Sequence, residues 1–178
     1  MDPAIELTVR AALALLFGVA AAHKLRDLAA FRAIFRDYRL VPEALAGTVA
    51  TGVPLVEVAV ALLLVAPGAS ALGKIGGAGL LAVYATAVGV NLGRGRRHID
   101  CGCTGPQGRR PINAGIVVRN VVVAAAAVAT LVPLRPRPLV WIDALTVSGA
   151  VLALAALYLA TDRLMASGPA LRRLREAA

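Results

Sequence analysis

Residues 45–65 read LAGTVATGVPLVEVAVALLLV, twenty-one positions with a single charged side chain, Glu57. At about 1.5 Å of rise per residue a helix of this length covers about 31 Å, which matches the ~30 Å hydrocarbon core of a bilayer. In lipid every backbone N–H and C=O must be bonded within the segment, so a single stretch of this kind is read as a membrane helix. Four further blocks share its character, at 5–22, 75–92, 112–134 and 139–160. The last is set off from its predecessor only by Arg135-Pro136-Arg137-Pro138 and carries Asp143 near its start, so four to five spans are expected. Composition agrees, with 59% hydrophobic and 16% charged residues and a mean hydropathy of +0.77. A soluble domain is nearer half apolar and a quarter charged.

The expected fold is therefore all-α, a polytopic membrane helix bundle of four to five transmembrane helices in one membrane-embedded domain over 1–178. Small residues pervade the blocks, as in Gly73-Lys74-Ile75-Gly76-Gly77-Ala78-Gly79, a pattern that lets helices approach closely. The opening Met1-Asp2-Pro3-Ala4-Ile5-Glu6 lacks the basic region of a cleavable signal, which predicts that the first block is kept as a helix. Between the first two spans, Leu25, Leu28, Phe31, Phe35 and Tyr38 recur at helical spacing, with Lys24, Asp27, Arg32, Arg36 and Arg39 on the remaining face. That predicts an interfacial amphipathic helix over about 24–40, ended by Val41-Pro42. The spans place this helix and the loop at 93–111 on one side of the membrane. The net charge of +9 lies between the apolar blocks, which assigns it to topology and lipid contact rather than to nucleic acid.

The chemistry is concentrated in Asn91-Leu92-Gly93-Arg94-Gly95-Arg96-Arg97-His98-Ile99-Asp100-Cys101-Gly102-Cys103-Thr104-Gly105-Pro106, which holds the two cysteines of the chain. Two thiols separated by one residue meet only if the chain bends, and glycine permits the bend. A disulfide there closes a very small ring, a poor staple and a better redox couple. Arg94, Arg96, Arg97, Arg109 and Arg110 would favour a thiolate, His98 is available as a proton acceptor, and Asp100 could take a proton during exchange. Inert cysteines among topology-setting arginines are the plainer reading. Metal binding by His98, Asp100, Cys101 and Cys103 is a sharper competitor, disfavoured because thiolate sites use CxxC spacing or ligands from separate elements, so no metal is assigned. Of the two thiols, Cys103 is the expected nucleophile, farther from Asp100 and nearer the start of the next helix.

Ionisable groups within hydrocarbon are costly and usually paired. Glu57 falls mid-span, and Arg119 with Asn120 lie about two turns into the fourth block. If those helices touch, Glu57 and Arg119 can pair to fix register. The alternative is a proton or quinone site at Glu57, Arg119 and Asn120 beneath the cysteine loop. Tyr84 and Asp143 are read as packing and interfacial residues.

His23-Lys24-Leu25-Arg26-Asp27, Tyr38-Arg39-Leu40-Val41-Pro42, Glu57 and above all Asp100-Cys101-Gly102-Cys103 resemble the MauE family of methylamine-utilisation membrane proteins, grouped with DoxX-like proteins. The resemblance covers the chain from the first span to Asn120. It implies a redox-associated role beside a thioredoxin-like partner, in maturation of a disulfide-containing client such as the small subunit of methylamine dehydrogenase. An interfacial helix after the first span and cysteines before the fourth are also similar in architecture to vitamin K epoxide reductase, from which this chain departs in its CxC pair and its lack of a second cysteine pair. The function expected is thiol–disulfide exchange in the cytoplasmic (inner) membrane, with membrane lipid as surroundings and no certain cofactor beyond the quinone alternative. A non-enzymatic membrane anchor for a soluble redox protein and a small metal-handling transporter are the rivals. Sidedness is contested: of the 19 Lys and Arg, fourteen fall on the side of the cysteines, four opposite and Arg119 within a span, which places the loop inside the cell. Disulfide traffic and the resemblance place it outside, and that is the expectation kept.

Overall fold

Pro3 opens the first helix with Asp2 as its cap, accepting from Ala4 N–H at 2.8 Å, and this helix, α1, runs over Pro3–Arg26. The computed structural model describes residues 1–102, 111–132 and 137–176, with side chains as far as Leu164. Asp27 leaves helical geometry at φ −136° and ψ 69°, and its carboxylate accepts from Ala30 N–H at 2.9 Å. One residue thus ends α1 and caps α2, Leu28–Asp37. The interfacial helix is therefore shorter than its apolar periodicity suggested, because the local turn chemistry of Asp27 interrupts that periodicity. Arg39 at φ 46° turns the chain into α3, Glu43–Val65, and Gly68 at φ 78° turns it into α4, Ser70–Gly93. Then come α5, Ala114–Ala129, and α6, Trp141–Glu176.

α1, α3, α4 and the first part of α6 are long and apolar enough to cross a membrane, as a multi-pass membrane protein requires. α5 has 16 residues, about 24 Å, and is the short member of the bundle. Leu13 and Phe17 of α1, Val60 and Leu64 of α3, Leu81 of α4 and Ala127 of α5 form the central apolar core. The glycine-rich start of α4 is what lets that core close. A Cβ at Gly73 would lie 2.7 Å from Leu64 N, and one at Gly77 would lie 2.9 Å from the Phe17 ring.

Outside the core the usual sorting of a soluble protein is reversed. Leu62, Leu152, Leu157 and Trp141 are largely exposed, whereas Glu6, Lys24, Glu57, Lys74, Asn91, Asn120 and Asp162 are buried. That distribution suits a hydrocarbon solvent, in which apolar side chains need no shelter and charges must be paired inside. At one end of the bundle Lys74 Nζ donates to Glu6 Oε1 and to the Thr130 carbonyl, each at 3.1 Å. There too Arg137 clamps Asp2 and Asp143 at 2.8 to 2.9 Å. The Arg137 guanidinium and the Ala4 N–H hold the Asp2 carboxyl below the usual carboxylate range. Asp143 and Asp2 in turn raise Arg137. At the other end lie α2, the C-terminus of α4, the N-terminus of α5 and the cysteine segment.

Candidate functional site

The cysteine segment is pinched at its base. Asp100 and Pro111 form an isolated antiparallel bridge, and Ile112 N–H donates to the Ile99 carbonyl at 3.0 Å. Ile99, Ile112 and Ile116 are buried with Val88, and half-buried Cys101, Tyr38 and Leu92 pack against them. The Asp100 carboxylate accepts from Gly102 N–H at 3.2 Å, so this acid shapes the turn at the cysteines. Gly102 has φ +68°, and a Cβ on it would stand 3.2 Å from Ile34 and 3.7 Å from the Phe31 ring. Both the backbone and the packing therefore call for glycine, and the segment leans directly on α2. The expectation that interfacial helix and cysteine loop share a side is met by contact. His98 is exposed, and Cys103, Arg109 and Arg110 lie outside the described residues.

Two of the arginines assigned to a thiolate have structural partners. Arg96 Nη1 donates to the Tyr38 carbonyl at 3.3 Å and to Asn91 Oδ1 at 3.2 Å, and Arg94 Nη1 reaches the Arg39 carbonyl at 3.4 Å. They tie the cysteine segment to the turn after α2 and still contribute positive charge there. Asn91, fully buried, completes the tie by donating from Nδ2 to the Ala87 carbonyl at 3.1 Å.

Beneath α2 sits a buried ionic group drawn from three helices. Lys24 Nζ of α1 donates to Glu57 Oε1 of α3, and Tyr84 OH of α4 donates to the same oxygen at 2.7 Å. Glu57 is 0% exposed and Lys24 5%. The ammonium also lies 5.4 Å from the centroid of Phe31 and 5.3 Å from that of Tyr84, within cation–π range. Among the described residues Glu57 Oε2 has no hydrogen-bond partner. Phe31 thus neighbours both Gly102 and the Lys24 ammonium, which links the cysteine segment to the buried group.

This replaces the pairing of Glu57 with Arg119. Arg119 Nη1 instead bonds Asp162 Oδ1 of α6 at 3.2 Å, with its guanidinium 4.7 Å from the Tyr158 ring centroid. α4 packs against both α3 and α5, so the helix contact that the pairing required is taken up by α4. Asn120 is buried on α5. Of the three residues singled out for a quinone or proton site, Glu57 and Arg119 thus belong to two separate ionic groups. Sequence reasoning missed Lys24, which it placed on the polar face of the interfacial helix, and it read Tyr84 as packing. The signal was present: Leu13, Phe17, Ala21 and Lys24 continue one buried stripe of α1.

A family model described as methylamine utilisation protein MauE matches residues 2–133. The methylamine utilization protein MauE of Paracoccus denitrificans is 38% identical over 129 residues, covering 72% of this chain and 69% of that protein. That of Methylophilus methylotrophus is 33% identical over 175 residues, covering 95% and 90%. That of Methylorubrum extorquens is 35% identical over 137 residues, covering 76% and 74%. No solved structure matches. The matched region runs from the cap of α1 past the end of α5, taking in both the cysteine segment and the buried ionic group, and the chain belongs to the MauE family of methylamine utilisation proteins.

Proposed function

We propose that this chain is a membrane thiol–disulfide redox protein of the methylamine utilisation system, exchanging disulfides with a thioredoxin-like partner. Through that partner it supports maturation of a disulfide-containing client such as the small subunit of methylamine dehydrogenase. It does so from the cytoplasmic membrane, with the cysteine segment on the extracytoplasmic face. The observation that carries the reading is the glycine at positive φ next to Cys101, packed near Phe31, whose ring also lies beside the lysine of a buried lysine–glutamate–tyrosine group.

In the oxidising direction a partner thiolate attacks one sulfur of a Cys101–Cys103 disulfide and forms a mixed disulfide. The partner's second thiolate displaces it, so the partner leaves oxidised and Cys101 and Cys103 remain as thiols. A quinone held near Glu57 would supply the acceptor for the two electrons and two protons that reoxidation of the dithiol releases. Glu57 supports the proton side of this exchange. Among the described residues its second oxygen has no partner, and Lys24 and Tyr84 fix the first, which leaves Oε2 to hold a proton or a ligand hydrogen bond. Asp100, by contrast, is committed to the Gly102 turn. Arg119 belongs to the separate group with Asp162.

The test is trapping. In Cys101→Ser or Cys103→Ser protein the remaining thiol should accumulate a mixed disulfide with the partner, and the double variant should form none. Full client maturation by the double variant would overturn the redox reading in favour of a docking scaffold.

A further inference from the structure

Away from the cysteine segment, α2 and the first half of α3 form an open, shallow groove of about 650 Å³. Its upper wall carries Arg32 and Arg36 of α2, and its floor is the α3 surface formed by Gly47, Thr48, Thr51 and Gly52. We propose that this groove is a binding site for one anionic glycerophospholipid, with the phosphate held by Arg32 and Arg36 and the glycerol and upper acyl chain laid along α3.

Four observations carry this. Arg32 is already positioned: its Nε and Nη2 donate to Thr51 Oγ1 at 3.2 and 2.9 Å, and that hydroxyl donates to the Gly47 carbonyl at 2.8 Å. Among the described residues Nη1 has no such partner. Arg36 follows one helical turn later, so two guanidinium groups converge on the same space, and guanidinium is the donor best matched to phosphate oxygens. Secondly, the N-terminus of α3 opens here with no side-chain cap, which adds the positive end of a helix dipole. Glu43 offsets part of this charge, and two arginines against one carboxylate leave the groove net positive.

Thirdly, the groove is amphipathic along its length. From Glu43 to Leu55 it follows twelve positions of α3, about 18 Å, from the polar turn after α2 to the apolar middle of the span. A free phosphate would use only the upper end, whereas a phospholipid has chemistry for both. Fourthly, the floor is open by composition. A Cβ at Gly47 or Gly52 would meet nothing within 4 Å, so these glycines leave space for a ligand rather than for a neighbouring helix. The site does not depend on the redox reading. It does place a lipid on α2, whose Ile34 and Phe31 touch Gly102.

The full chain, purified in mild detergent, is exposed to vesicles of equal phosphatidylglycerol and phosphatidylcholine, re-isolated, and its retained lipid measured by native mass spectrometry. Phosphatidylglycerol should be enriched about tenfold over the vesicle ratio, the scale expected of a small excess of basic charge at a headgroup. Arg32→Gln with Arg36→Gln should return retention to the vesicle ratio. Gly52→Leu should do the same by filling the groove, with a thermal midpoint no lower than that of the parent, since leucine is the better helix former and meets open space. Retention at the vesicle ratio by the parent chain, or undiminished enrichment in both variants, would overturn the proposal. So would displacement of the lipid by millimolar inorganic phosphate, which would assign the arginines to a small anion instead.

Discussion

Replacing Lys24 by Met removes the cation that faces Glu57 and leaves a carboxylate in the middle of α3 with Tyr84 as its remaining donor. The size of the effect follows from burial. Both side chains of the pair are nine-tenths or more out of contact with solvent, so solvent screening does not soften the loss. Removing one member of a buried ion pair costs about 3–5 kcal/mol because the survivor is stranded. Insertion scales give a similar figure, about 2.5–3.5 kcal/mol for a charged residue at the centre of a membrane helix. About 3 kcal/mol is therefore expected for Lys24→Met, a large part of the total stability of a domain this size. The double variant Lys24→Met with Glu57→Leu removes both charges and should recover most of the loss, since a well-packed apolar pair is often neutral or better. Reversible unfolding in mixed detergent micelles reads all three variants, and the cycle gives a coupling energy of roughly 2 kcal/mol or more. Additive losses, or a Lys24→Met cost below about 1 kcal/mol, would refute the buried pair and with it the link between the cysteine segment and the buried group.

Gly102→Ala should destabilise by about 1–2 kcal/mol, because an alanine at φ +68° is strained and its methyl presses on Ile34. Alkylation of Cys101 should speed up with it, and unchanged stability and reactivity would contradict the seat on α2. Asp2, whose carboxyl is held below the ordinary range by Arg137, contributes its ion pair fully above about pH 4 and loses it only as pH falls through the lowered value. The emission of Trp141, the one tryptophan, should accordingly hold steady from neutral pH to about 4 and change below, with a smaller change in Asp2→Asn; a transition near pH 5 would contradict the clamp. In intact cells, after reduction, Cys101 and Cys103 should react with a membrane-impermeant maleimide, and labelling only after lysis would put the segment in the cytoplasm.

The spans were legible because hydropathy is a local property: residues 45–65 can be read without knowing any neighbour. The same holds for the glycine pattern of α4, where Gly73 and Gly77 proved to be points of close approach to α3 and to Phe17. Pairing was not legible in that way. Glu57 is 33 positions from Lys24 and 27 from Tyr84, and Glu6 is 68 from Lys74, so the partner of each buried charge depends on which helices become neighbours. Arg119 illustrates the difficulty: its burial could be anticipated from its place in an apolar block, but its partner, Asp162, lies in a helix that sequence treated as the least certain.

Lys24 shows how one local misreading propagates. Counted as a surface cation, it extends the interfacial helix toward the membrane span and adds to the basic charge on the cysteine side. Asp27, which closes α1 and caps α2, shifts that boundary and turns Lys24 inward, where Glu57 neutralises it. Arg94 and Arg96 on the same side are bonded to backbone carbonyls of the turn after α2. Pairing acts on both sides, however: Lys74 is bonded to Glu6 and Arg137 to Asp2 and Asp143 at the other end, so the excess of basic residues beside the cysteines stands. Lys24, moved from the surface to the bundle interior, links the cysteine segment to a buried ionic group through Phe31.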